Sequence, residues 1–306
     1  MDELPAKRKG EVIEGYRILS EIGRGAASVI YLAQDQRSKQ VVALKHVEKR
    51  DAKDQRFLDQ AEMEYKVASR LDDPRLRKIF KLFKKGPLLK VRELYLVMEL
   101  VDGISVDRHP PATFEAALDI FREVALGLAH MHAKGFVHAD MKPNNIIISD
   151  DGTTKVIDLG QSCEIGTVKE RIQGTPDYIA PEQVHCREIT PKTDIYNLGA
   201  TMYWVLTRTK VPTALSGGDS LVGRRDDHLI EKAKPASEIN TRIPDRLNTL
   251  IMMCIEVDPL RRPASMDAVA ESLGFVLEQL RSKNRAAAPD PDDDDEQTDI
   301  MSVGDR

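Results

Sequence analysis

The chain has 306 residues, 41% of them hydrophobic and 31% charged, the balance of a soluble globular protein with a sizeable core. No apolar stretch approaches the ~18 residues of a membrane span, and the opening MDELPAKRKG lacks the apolar core of a signal peptide. The net charge of −5 is uneven: residues 289–306 carry a net −7, leaving residues 1–288 near +2 and without a nucleic-acid signal.

The strands come first. YRILSEIGRGAASVIYLAQD predicts two strands joined by a glycine loop, and QVVALKHVEK predicts a third. Residues 53–71 then switch to helical spacing, with Phe57, Ala61, Tyr65, Ala68 and Leu71 on one face. RKIFKLF and RELYLVMEL predict two further strands around a hairpin. From Thr113 helices dominate; Phe114, Leu118, Phe121, Ala125 and Leu128 form a stripe that stops at Lys134-Gly135. Five strands with one helix, then a mainly helical remainder, make an α+β protein of two lobes with its seam near Val101-Asp102-Gly103. The acidic end, PDPDDDDEQTD, has few apolar anchors and is expected to be a disordered, solvating tail. Cys163, Cys186 and Cys254 share no metal-ligand spacing and are expected to be reduced thiols in a cytoplasmic protein, Cys254 in the core.

Three constellations carry chemistry. Gly23-Arg24-Gly25 between two strands allows either a phosphate cradle of backbone N–H groups or a plain hairpin turn. It is not a Walker loop, since no Gly-Lys pair occurs, and no βαβ unit follows it. Lys45 ends the strand VVALK. Of the two acids near the apolar face of the following helix, a step of ~100° per residue puts Glu64 inside the apolar stripe and Glu62 outside it. A buried acid needs a partner, and Lys45 is the candidate. The third constellation surrounds HADMKPNN. If Asp151-Gly152 forms a two-residue turn, Asn145 and Asp158 face each other across a hairpin, where an amide oxygen and a carboxylate suit Mg²⁺. Asp140 lies in the same loop and could accept a hydroxyl proton.

In these motifs the chain resembles the eukaryotic-type protein kinases, over roughly residues 16–280. GRGAASV resembles the Gly-rich loop, with Ser28 in place of the third glycine. VALK supplies the strand lysine, and YLVMELVDG resembles the gatekeeper and hinge. HADMKPNN resembles the catalytic loop, Asp158-Leu159-Gly160 the metal-binding DFG, and GTPDYIAPE the end of an activation segment. The resemblance implies ATP with Mg²⁺, or Mn²⁺, as cofactors. It makes Asp140 the base, places Lys142 near the γ-phosphate, pairs Lys45 with Glu64, and puts Asn145 and Asp158 on the metal. Adenine would meet the backbone of Glu99 and Val101 beneath Met98, under a roof of Ile22, Val29 and Ala43 and over Ile147 as floor, with Gly23 and Gly25 binding the nucleotide from the Gly-rich loop. Glu182 and Arg262 would pair across the large lobe, Asp194 would be structural, and His138 would brace the loop.

The implied domain runs over 16–283, with lobes 16–100 and 101–283, after a segment 1–15 and before a tail 284–306. Lys142 and Thr175 resemble the Ser/Thr branch, and PEQ after Ala180 resembles bacterial members. The expected function is protein Ser/Thr phosphorylation, with protein substrates, a second copy of the small lobe as a candidate partner, and no membrane span. The alternatives are a pseudokinase scaffold, which loss of Lys45, Asp140 or Asp158 would favour, and a small-molecule phosphotransferase. One departure stands out. Ala139 occupies the place before the catalytic aspartate where most relatives carry an arginine that anchors a loop phosphate, such as one on Ser162 or Thr167. The expectation is a live enzyme that does not depend on loop phosphorylation.

Overall fold

The computed structural model describes residues 6–25, 27–87, 90–215 and 230–287, so Ala26 of the glycine loop and the acidic tail from 288 lie outside the described residues. The small lobe is a six-stranded antiparallel sheet of order β1-β2-β3-β4-β6-β5. Its strands are β1 (Val12–Ile13), β2 (Tyr16–Arg24), β3 (Ser28–Asp35), β4 (Val41–Glu48), β5 (Ile79–Lys85) and β6 (Glu93–Met98). The short β1 is the strand that the sequence pattern does not announce; two residues are too few to show alternation, and it extends the sheet into the segment before residue 16.

Helix α1 (Gln55–Ala68) covers one face of this sheet, burying Leu58, Ala61, Glu64, Val67 and Ala68. The other face is closed by a separate apolar cluster of Ile13, Tyr16, Ile18, Val29, Tyr31, Leu44, Tyr95 and Val97. Because side chains alternate along a strand, membership of one face or the other decides what a residue can touch.

The large lobe follows β7 (Ile104–Ser105). Helix α2 (Phe114–Ala133) begins at Thr113, whose hydroxyl accepts the Ala116 N–H, and stops before Gly135 at φ +85°. After β8 (Phe136–Val137) come β9 (Ile146–Ile148) and β10 (Thr154–Val156), which form a three-stranded sheet with β7. Small ladders pair β11 (Cys163–Glu164) with β8, and β12 (Thr167–Val168) with β13 (Glu188–Ile189). Helices α3 (Pro181–Val184), α4 (Pro191–Thr207), α5 (Ala236–Ile239), α6 (Asp245–Cys254) and α7 (Met266–Ala287) complete the lobe. The buried stripe of α2 joins α4, α6 and α7 in a core that continues into the small lobe through Ala43, Leu96 and Met98. Helix α7 continues to Ala287, so residues 284–287, expected to open the disordered tail, are helical. Among the described residues no helix is long and apolar enough to cross a membrane.

Candidate active site

At the cleft between the lobes, Lys45 Nζ donates to Glu64 Oε2 at 2.6 Å. Glu64 is fully buried in the α1 face, while Glu62 lies outside, 2.8 Å from Lys84. Burial alone would depress the Lys45 ammonium, but Glu64 and then Asp158 outweigh it and hold its pKa above the ordinary lysine value. A second cation stands behind the pair. Arg77 Nη2 lies 3.7 Å from Glu64 Oε1, and its side chain is 11% exposed. Burial likewise works against the charge of Asp158, yet Lys45, Arg77 and His138 together keep its carboxyl below the usual range, so it is ionised.

The catalytic loop is fixed from several sides. Lys142 Nζ donates to Asp140 Oδ2 at 2.7 Å and to Thr175 Oγ1 at 2.8 Å, and the Thr175 hydroxyl donates to Asp140 Oδ1 at 2.8 Å. This triangle joins the loop to the activation segment. Asn145 Nδ2 donates to the Asp140 carbonyl at 2.9 Å, which spends the amide's donor side and leaves its oxygen for a ligand. His138 Nδ1 accepts the Asp140 N–H at 3.2 Å, so this histidine braces the loop. Asp194 accepts the N–H groups of His138 and Ala139 at 2.9 and 2.8 Å, and its other neighbour is His132 Nε2 at 2.8 Å. Although Asp194 is buried, the His132 bond holds its pKa below normal.

The hairpin after the loop differs from the expected register. Thr154, Lys155 and Val156 pair with Ile148, Ile147 and Ile146, one residue out from the two-residue-turn prediction. Ser149 N–H bonds the Thr153 carbonyl, and Gly152 sits at φ +82°, the left-handed third position of a three-residue turn. Asn145 therefore bonds Ile157, not Asp158, across the hairpin. Asp158 instead leaves the ladder through its own left-handed backbone, φ 64°.

Val29 also needs correction as a roof residue. On β3 it pairs with His46 and belongs to the outer cluster with Tyr31 and Leu44. The face bearing Lys45 and Ala43 is carried instead by their partners Ile30 and Leu32. A one-residue miscount in a strand exchanges its faces completely. The other proposed nucleotide contacts lie on the expected elements. Ile22 is half exposed on β2, Gly23 opposes Ile30, and the Gly25 N–H bonds the Ser28 carbonyl. Met98 is buried beside Ala43, and Ile147 lies on β9. At the hinge the Glu99 N–H bonds the Lys78 carbonyl, whereas among the described residues none accepts the Val101 N–H.

A cavity of about 260 Å³ opens onto Lys45, Glu64, Asp140, Lys142 and Asp158, beneath Ala27 and Ser28. Its donor set suits a hard cation that arrives with phosphate. Among the described residues no three His, Cys, Asp or Glu side chains form a closed metal cluster. One ionised carboxylate and an amide oxygen leave most of an octahedral shell to phosphate and water, as Mg²⁺ requires. An unpaired hinge N–H likewise suits a base nitrogen.

Three participants escape sequence reasoning. Arg77 has no motif around it. Lys155 donates to both carboxylate oxygens of Glu99, at 2.6 and 2.7 Å; a lysine in the strand TKV is a hint, but its partner is 56 residues away. Gln183 is a buried amide with no charge to betray it. Of the large-lobe expectations, Arg262 meets Glu182 through two bonds of 2.7 and 3.0 Å. Ser162 is buried against the His138 carbonyl, which closes it to modification in this conformation. Cys163 and Cys254 are buried, and burial raises both thiols, Cys254 to about 12.

The protein kinase domain model matches residues 16–273. The chain is 31% identical over 274 residues to the serine/threonine-protein kinase PknL of Mycobacterium tuberculosis, covering 87% of this chain and 66% of PknL. To PrkC of Bacillus subtilis it is 31% identical over 285 residues, covering 90% of this chain and 43% of PrkC. To PknA of Mycobacterium bovis it is 28% identical over 293 residues, 93% of this chain and 66% of PknA. The chain thus spans two thirds or less of the length of these curated relatives.

Proposed function

This chain belongs to the protein kinase family, and we propose that it transfers the γ-phosphate of ATP to serine or threonine hydroxyls of cytoplasmic proteins. The observation that carries this reading is the triangle of Asp140, Lys142 and Thr175, which ties the proton acceptor to the segment where an acceptor peptide would lie. The relatives PknL, PrkC and PknA bear the name of serine/threonine kinases, which supports the same acceptor class.

In the reaction a bond forms between the acceptor oxygen and the γ-phosphorus while the bond to the β–γ bridging oxygen breaks. Asp140 takes the hydroxyl proton; its carboxylate has lone-pair sites beyond those held by Lys142 and Thr175. Lys45, held by Glu64, presents a positive charge to the phosphates. Asp158 and the Asn145 oxygen would hold Mg²⁺, which would supply positive charge to offset that of the phosphates. The small-molecule alternative loses ground to the Thr175 bonds, since they shape a peptide-facing segment.

Ala139 gives the regulatory part of the reading. Its methyl is buried among Val137, Cys163 and Ile189, so this slot is apolar and supplies no cation for a loop phosphate. The enzyme is therefore read as active without loop phosphorylation, with control exerted on Glu64 through α1, by a partner or a second small lobe.

The test is transfer from labelled ATP to a generic protein substrate by phosphatase-treated enzyme. Asp140→Asn should lower kcat by ~10²–10⁴, and Asp158→Ala should abolish Mg²⁺-supported turnover. Normal ATP binding by the wild type without any transfer would leave a scaffold instead.

A further inference from the structure

Gln183, one residue after Glu182, is 3% exposed and uses its whole amide. Its Nε2 donates to the Ala139 carbonyl at 2.8 Å and to the Gln173 carbonyl at 3.1 Å. Its Oε1 accepts the Ala180 N–H and Asn197 Nδ2, each at 3.0 Å. Asn197 in turn donates to the Tyr178 carbonyl at 2.7 Å. One neutral side chain thus joins the catalytic loop, the activation segment on both sides of Thr175, and helix α4.

The contact at Ala139 has a particular purpose. Ala139 holds a left-handed backbone at φ 61°, a conformation unfavourable for a residue with a Cβ. Such a conformation persists only where its surroundings fix it. The Ala139 N–H is held by Asp194 and its carbonyl by Gln183, so the peptide units on both sides of the strained residue are clamped. Asp140 begins at that carbonyl, so the clamp sets the direction of its side chain.

We propose that Gln183 is the positioning residue that replaces a loop phosphate: its two N–H groups lock the activation segment to the catalytic loop in the peptide-accepting arrangement. This inference rests on the phosphate-independent reading above. A phosphate anchor can be added and removed, whereas an amide with both hydrogens and both lone pairs committed cannot, so the lock is permanent and insensitive to phosphatases. Its bonds are neutral and buried, so salt leaves it unchanged, unlike an exposed phosphate–arginine contact.

Phosphatase-treated wild type is compared with Gln183→Met, which keeps the length and removes both donors, and with Gln183→Glu, which also sets a carboxylate oxygen against the two carbonyls that the amide N–H groups had met. Initial rates on an external peptide, ATP affinity, thermal midpoints and hydrogen exchange are measured, with rates taken below all midpoints. The expected result for Gln183→Met is at least a tenfold fall in peptide kcat/KM, ATP affinity within twofold, and faster exchange in residues 166–176 and 138–141. Gln183→Glu should fall further. A folded Gln183→Met with wild-type rate and exchange overturns the proposal, as does a loss shared equally by ATP binding, which marks a merely structural residue. Should Gln183→Met not fold, the Gln183→Glu rates and exchange decide by the same criteria; if neither folds, a structural role is established and the proposal fails. A wild type that loses its own activity on phosphatase treatment sinks the underlying reading separately, because that result needs no variant.

Discussion

Two buried ion pairs, one in each lobe, join distant parts of the chain and are built in opposite ways. In the large lobe Arg262 meets Glu182 through two parallel bonds, and its remaining donors reach the carbonyls of Glu256, Lys192 and Val257. Glu182 also accepts the Thr193 hydroxyl, and Tyr196 lies 4.9 Å beneath the guanidinium. In the small lobe Lys45 meets Glu64 through one bond, Glu64 Oε1 has no hydrogen bond, and Arg77 waits at 3.7 Å. A fully satisfied pair has nothing left to offer and acts as a brace. A pair with spare capacity can re-form around a ligand. The difference separates a residue closed off in the fold from one that faces the cleft: the Arg262 side chain is fully buried, whereas that of Lys45 is 15% exposed.

That comparison can be broken by substitution. Arg262→Ala should be the most damaging to stability, by about 3–5 kcal/mol, because it strands a buried carboxylate; urea unfolding reads it. Lys45→Met should lower turnover by ~10²–10³ with a much smaller loss of stability, since Arg77 still neutralises Glu64. Equal destabilisation by the two would erase the distinction. It can be sharpened with the double variant Lys45→Met, Arg77→Met, whose stability loss should exceed the sum of its parts, because Glu64 then has no cation.

The smallest effect concerns a third contact, on the outer face of the sheet. His46 is buried, stacked on Tyr95 at 4.4 Å, and bonded to Glu93 at 2.9 Å. Burial outweighs Glu93 and pushes its pKa from 6.5 down to about 4. Between those values the unfolded chain binds the proton and the folded one does not, so stability falls as the pH drops through this window. The whole window is worth about 3 kcal/mol. His46→Gln should flatten the slope of unfolding free energy between pH 7 and 4.5; an unchanged slope would show that other groups dominate.

The sequence carries the element order well, because apolar spacing and stop signals are local. It also singles out Glu64 over Glu62, since a helix turns by a constant angle. Strand faces are less secure. Val29 and Ile30 are both apolar and adjacent, so pattern alone cannot say which points at Lys45, and the miscount cost the roof residue. The hairpin slipped for a similar reason: Asp150-Asp151-Gly152 supports a two- or three-residue turn, and only the backbone angle at Gly152 decides. Gln183, Arg77 and Lys155 stayed invisible because their partners are 44, 13 and 56 residues away, with no periodicity linking them. The departure at Ala139 was legible as a missing charge, but its clamp was not.

The Lys155–Glu99 contact has a mechanical consequence. Covalently the lobes are connected at residues 99–103, where the Ile148 carbonyl leaves no room for a Cβ at Gly103. A second attachment lies where Leu76 bridges Val156, with the Arg77 N–H on the Val156 carbonyl at 3.0 Å and the Val156 N–H on the Arg75 carbonyl at 2.7 Å. Lys155 extends from the neighbouring residue on β10 to both oxygens of Glu99. Two pins define an axis where one would leave a swivel. A rotation about that line leaves both attachments intact, whereas a twist across it would shear the backbone bonds to Val156.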